Sequence, residues 1–130
     1  MSISDNISIC SKGLADYIVM NFASPSVVIG CNNEAAFNKY APLTAGIFAA
    51  NGVKVFMCNG AASSDMVEKK LEQDDLCAGL FIITGKEEKD GFSFEIKGLE
   101  KPDIIYPDNA SEVRVGDYKA GVQAGCIVLF

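Results

Sequence analysis

The run Ala78-Gly79-Leu80-Phe81-Ile82-Ile83-Thr84 constrains this chain more than any other stretch. It is almost wholly apolar, too short for a core helix, and flanked by Asp74-Asp75 before it and Gly85-Lys86 after it. Such a run reads as a strand buried on both faces, the kind found inside a parallel sheet. Parallel neighbours cannot be joined by tight turns, so the rest of the chain must supply crossover helices.

The remaining pattern supplies them. Ile7, Leu14, Ile18 and Phe22 recur at helical steps within residues 4–22, with Ser4 or Asp5 as the capping residue. Ser24-Pro25 breaks that helix, and Ser26-Val27-Val28-Ile29-Gly30 follows as a β-branched strand. Asn32 and Asn33 are cap candidates for a second helix through Ala50. Pro42 lies within that span, so the helix is kinked there or begins nearby, and Gly52 ends it. Val53 to Cys58 is a second strand, and Ser63 or Ser64 followed by Glu68 opens a third helix through Gln73. Phe92 to Lys97 alternates with period two, as a half-buried edge or antiparallel strand does, and the short polar gap before it suits a hairpin. Beyond Gly98 the signal weakens. Ile104-Ile105-Tyr106, Val113-Arg114-Val115 and Cys126 to Phe130 are the strand candidates there. The expected architecture is one domain, residues 1–130: a three-layer α/β/α sandwich with a mostly parallel sheet and an antiparallel edge strand.

Composition removes several functions. A formal net charge of -6 argues against nucleic acid, whose phosphates need a basic face. No apolar run reaches the ~20 residues that span a bilayer, so no membrane partner is expected. The start, Met1-Ser2-Ile3-Ser4-Asp5, lacks the basic-then-apolar order of a signal peptide, which implies a cytoplasmic protein. The cysteines Cys10, Cys31, Cys58, Cys77 and Cys126 are odd in number and form no C-x-x-C, so neither a disulfide framework nor a metal site is indicated. With no histidine in the chain, Cys-His and Ser-His-Asp catalysis are excluded within it. No cofactor is implied.

The polar candidates sit where the strands end. Gly30-Cys31-Asn32-Asn33 enters a helix whose free amides could hold an anion, although Glu34 opposes this and capping accounts for both asparagines. Gly60-Ala61-Ala62-Ser63-Ser64 is a second helix-entry loop of the same kind. Thr84 closes the buried strand. Lys86 after it could meet a phosphate as a point charge, weakened by Glu87 and Glu88. The loop Lys86 to Asp90 otherwise has the alternating charge of a solvated turn. Cys31, ahead of a helix, is the one thiol placed for a lowered pKa, but an inert cysteine is the expected reading. The ligand-binding candidates are therefore Asn32, Asn33, Ser63, Ser64, Thr84 and Lys86, with no catalytic residue among them.

From Val27 to Gly98 the order of elements resembles the first domain of the α-D-phosphohexomutases, the phosphoglucomutases and phosphomannomutases. Val27-Val28-Ile29-Gly30 matches the family's V-V-x-G strand end, and Gly46-Ile47-Phe48-Ala49-Ala50-Asn51-Gly52 its G-x-x-A-A-x-G helix end. Val53-Lys54-Val55 and Gly60 precede Ser63-Ser64-Asp65 as a V-x-V strand precedes the family's Thr-Pro turn. Gly79 to Lys86, then Asp90-Gly91-Phe92-Ser93, follows G-x-x-I-T-A-S-H-N-P and N-G-F-K. The resemblance implies an α/β/α fold, sugar-phosphate metabolism and an intramolecular phosphotransferase lineage. The departures fall on its chemistry. Gly85 or Lys86 stands where the resemblance puts the phosphorylated serine, and Gly30-Cys31-Asn32-Asn33-Glu34 replaces G-x-D-x-R. The F-G-T-D-G-I-R-G opening and the D-G-D-x-D metal motif are absent. The expectation is a domain without catalysis of its own, an interaction or regulatory module whose partners are a second copy, another protein or a sugar phosphate. The alternatives are a one-domain fragment of a mutase and a small domain that binds phosphorylated ligands.

Overall fold

The computed structural model describes residues 2–85 and 91–130. Helix α1 (Ile3–Asn21) leads into strand β1 (Ser26–Cys31), helix α2 (Glu34–Ala50), strand β2 (Lys54–Ala61), helix α3 (Ser64–Gln73), strand β3 (Ala78–Thr84) and strand β4 (Phe92–Lys97). A long connection with one short 3-10 turn at Ala110–Glu112 then reaches helix α4 (Tyr118–Gln123) and strand β5 (Ile127–Leu129). The sheet order is β4-β3-β1-β2-β5. β1 runs parallel to both β2 and β3, β5 is parallel to β2, and β4 alone is antiparallel. The antiparallel edge strand expected after the buried run is therefore present, as Thr84↔Phe92 through Gly79↔Lys97.

Alternation along the strands divides the apolar residues between two faces. Val27, Ile29, Val55, Met57, Leu80, Ile82 and Ile127 join the larger core, which is covered by Ile7, Leu14 and Ile18 of α1 and by Tyr40, Ala45 and Phe48 of α2. Tyr118 and Val122 of α4 pack against the same cluster. Val28, Cys58 and Phe81 point the other way, onto Val67 of α3. Helices thus lie on both faces of a mixed sheet. The central strand is β1, not β3, because both crossover connections place their strands beside β1.

Local chemistry explains the boundaries. Ser2, not Ser4 or Asp5, caps α1: its side chain accepts from the Asp5 amide, so the helix starts a turn earlier than the apolar stripe suggests. Pro42 lies inside α2, which nonetheless runs unbroken from Glu34 to Ala50. Gly52 follows with φ +82, a left-handed conformation that ends the helix cheaply only as glycine. The expected strands at Ile104–Tyr106 and Val113–Val115 do not form. Ile104 packs on α1 at Gly13, and a Cβ on Gly13 would lie 2.5 Å from the Tyr106 ring. That segment is a strap across α1, since both sheet edges are already taken by β4 and β5. Within the apolar run at Cys126 to Phe130, Ile127–Leu129 pairs as β5 with β2 and buries Ile127, while Cys126 and Phe130 stay exposed.

Candidate functional site

The carboxyl ends of β1, β2 and β3 lie side by side and carry five of the six predicted ligand residues. Lys86 lies outside the described residues. In the order β4-β3-β1-β2 the chain leaves β1 toward β2 and leaves β3 toward β4, so the topological switch point, where open α/β sheets bind ligands, lies between β1 and β3.

The Ala62 amide donates to the Cys31 carbonyl at 2.8 Å, tying the end of β2 to the end of β1. A Cβ on Gly30 would sit 2.7 Å from Val67 Cγ2 and 3.5 Å from the Ala62 Cβ, and a Cβ on Gly79 would sit 2.7 Å from Val67 Cγ1. Two glycines on adjacent strands, β1 and β3, thus let α3 settle directly onto one face of the sheet through Val67. Val67 and Ala62 were not among the residues singled out from sequence. The signal for them was there in Gly30 and Gly79, since glycine within a strand marks close approach of a neighbour.

Asn32, Asn33 and Thr84 are brought together, and they satisfy one another. Asn32 Nδ2 donates to the Thr84 carbonyl at 2.9 Å, and Asn32 Oδ1 accepts from the Thr84 amide at 2.9 Å. This side chain therefore imitates one more residue of strand pairing between β1 and β3. Asn33 Oδ1 caps α2 by accepting from the Ala36 amide at 2.8 Å. Its Nδ2 is directed at the Thr84 carbonyl (3.2 Å), Thr84 Oγ1 (3.1 Å) and Asn32 Oδ1 (3.2 Å). Capping explains Asn33 alone; Asn32 is a strand-to-strand tie. The arrangement holds the start of α2 and the end of β3 rigidly, and spends the polar groups that a ligand would use.

Ser63 and Ser64 stand apart from this group. Ser63 caps α3, accepting from the Met66 amide at 3.3 Å, and Ser64 is the first helical residue. Gly60 takes φ +81 within β2, where the pairing with β1 shifts register before Ala61 meets Cys31. Beside β3, a shallow hollow is lined by Ile83, Thr84, Gly85, Gly91, Phe92 and Ser93, a described lining without a titratable side chain.

The thiol at this end is not activated. Burial, reinforced by the neighbouring Cys58, pushes the Cys31 pKa up to about 12, and burial pushes Cys58 up to about 11. Cys31 lies before α2, but a desolvated thiolate is disfavoured more strongly than a helix terminus can favour it. The raised pKa agrees with the inert reading of Cys31.

No family model, no curated protein and no solved structure matches this chain.

Among the described residues, no group of three His, Cys, Asp or Glu could hold a metal ion, and no helix is long and apolar enough to cross a membrane. Among the described residues at the strand ends, Asn32 and Asn33 hydrogen-bond to Thr84 and the Ser63 side chain caps α3.

Proposed function

We propose that this chain is a non-catalytic relative of the phosphohexomutase first domain that serves as an interaction or regulatory module. The observation that carries the reading is the occupied switch point. Asn32 and Asn33 at the end of β1 bind the polar groups of Thr84 at the end of β3 and so close the gap between those strands, while α3 packs through Val67 onto Gly30 and Gly79 of the same two strands. Phosphoryl transfer depends on positioning, electrostatic clamping and an accessible nucleophile. At the strand end where the resemblance puts the phosphoserine loop, Thr84 is tied down and Gly85 follows it. The antiparallel β3–β4 pairing after two parallel crossovers agrees with the family likeness. The test is conversion of glucose 1-phosphate to glucose 6-phosphate by the purified chain, with Mg²⁺ and a bisphosphate activator. No turnover above the uncatalysed rate is expected, and turnover at enzymatic rates would overturn the reading.

A further inference from the structure

If the strand ends do not act on a ligand, the surfaces left for contact are the helix faces and the sheet edges. The two edges differ. β5 is three residues long, and Phe130 beyond it packs against Lys70. β4 is six residues long and pairs with β3 alone in the sheet order.

β4 lacks two of the devices by which soluble proteins blunt an edge, although it carries Glu95 and Lys97. It contains no proline, and its pairing with β3 runs through six consecutive residue pairs without a bulge. Its charged side chains are engaged within the chain: Lys97 Nζ lies 3.3 Å from Glu68 and 3.4 Å from Glu95. Phe92, Phe94 and Ile96 line the face of the larger core, with the two phenyl rings edge to face at 6.0 Å. Ser93, Glu95 and Lys97 line the opposite face. The outer backbone groups of this strand have no partner in the sheet.

We propose that β4 pairs antiparallel with β4 of a second copy of this chain, across a two-fold axis at Phe94. This deepens the interaction-module reading and rests on it. Side-chain alternation and charge select the register. With Phe94 opposite its own mate, Phe92 faces Ile96 of the second copy, so one unbroken apolar column crosses the junction. On the other face Glu95 meets Ser93 of the second copy, an acceptor opposite a hydroxyl donor. Shifting by two residues in total sets Glu95 opposite Glu95, and like charges directly opposite are destabilising. Shifting the other way leaves only Phe92 to Phe94 overlapping. The registers centred on Phe94 and on Glu95 each pair five of the six residues of β4, and the one with Phe94 on the axis avoids the carboxylate clash.

Ser93 is exposed, so substitution there tests the junction without disturbing the core. Sedimentation equilibrium of the full chain from micromolar to millimolar concentration should show a reversible monomer–dimer system. Ser93→Lys, which sets a cation opposite Glu95 twice per dimer, should lower the dissociation constant roughly twofold to thirtyfold, and Ser93→Glu should raise it by a similar factor. Both variants should melt with the wild type at dilute concentration. Three results would each overturn the proposal. One is a monomer throughout, for wild type and Ser93→Lys alike. Another is a dimer indifferent to the charge at position 93. The third is the reversed order of the two variants, the signature of the register in which Ser93 faces Lys97. Mutase turnover would remove the interaction-module reading while leaving the dimer intact, so the two failures are separable.

Discussion

The amide of Gly116 donates to the carbonyl of Gly46 at 3.1 Å, and each glycine occupies the space where a Cβ on the other would fall. A Cβ on Gly46 would lie 2.7 Å from the Gly116 carbonyl oxygen, and one on Gly116 would lie 2.8 Å from that of Gly46. This contact seats the long connection on α2 immediately before α4 and β5.

Two effects compete in Gly46→Ala. Alanine within a helix is favoured over glycine by ~1 kcal/mol. Against this, the new methyl meets backbone, which cannot swing aside as a flexible side chain can, and overpacking of this kind costs roughly 1–3 kcal/mol. The clash should win. Urea denaturation should show Gly46→Ala destabilised by about 1 kcal/mol, and Gly116→Ala, with no helical gain to offset its clash, destabilised by more. A more stable Gly46→Ala would mean that the connection does not sit on α2 as described.

Asn33 has two jobs that substitutions can separate. Its Oδ1 caps α2, and its Nδ2 holds Thr84. Asn33→Ala loses both and should cost about 1–2 kcal/mol. Asn33→Asp keeps an excellent cap but places a carboxylate among three acceptors, the Thr84 carbonyl, Thr84 Oγ1 and Asn32 Oδ1. Despite the better cap it should also be destabilised at neutral pH, by roughly 1 kcal/mol. Equal stability of Asn33→Asp and wild type in chemical denaturation would show that the tie to β3 contributes nothing.

The buried thiols predict a dependence on alkaline pH. In the unfolded chain Cys31 and Cys58 titrate near their ordinary value of 9.0, whereas in the folded protein they hold their protons up to about 12 and about 11. Between those limits the folded state binds more protons, so stability falls as pH rises through that window. Below pH 9 both states are protonated and the thiols add no slope. Denaturation midpoints measured across the window should decline, and Cys31→Ala together with Cys58→Ala should flatten the decline. A native-state alkylation series gives a second check. Cys126, which is exposed, should react first, and Cys31 and Cys58 only on opening of the core.

Much of the fold was legible because periodicity reports burial directly. The seven residues of β3 and the alternation of β4 were each readable at their observed limits. The region after Gly98 was not, for a physical reason. Short β-branched pairs such as Ile104-Ile105 and Val113–Val115 are equally suited to a strand or to a strap lying on a helix. Only the availability of a sheet edge decides between them. Those edges were taken by β4, which precedes this region, and by β5, which follows it. At the strand ends, residue types located the polar groups but could not reveal how they were used. Asn32 and Asn33 look alike in sequence, yet one bridges two strands and the other caps a helix. That difference depends on Thr84, more than fifty residues away.

The last strand is held by a contact that can be measured at a single amide. Lys70 Nζ lies 5.1 Å from the Phe56 ring centroid and 4.8 Å from that of Phe130, while Asp74 holds the same ammonium at 2.7 Å. The lysine thus bridges α3, β2 and the residue after β5. Phe130 in turn accepts from the Asn59 amide and donates to the Met57 carbonyl, each at 3.0 Å. A cation over partly exposed rings is worth ~0.5–1 kcal/mol, small against the whole fold but large for a three-residue strand. Lys70→Ala should therefore leave the global unfolding midpoint nearly unchanged and speed hydrogen exchange at the Asn59 amide by roughly two- to fivefold. Phe130→Ala should do the same with an additional loss from the exposed Phe56 ring. Lys70→Arg, which retains both the charge and the stacking surface, should restore protection. If exchange at Asn59 is unaltered by all three substitutions, β5 is held by its backbone pairing with β2 alone.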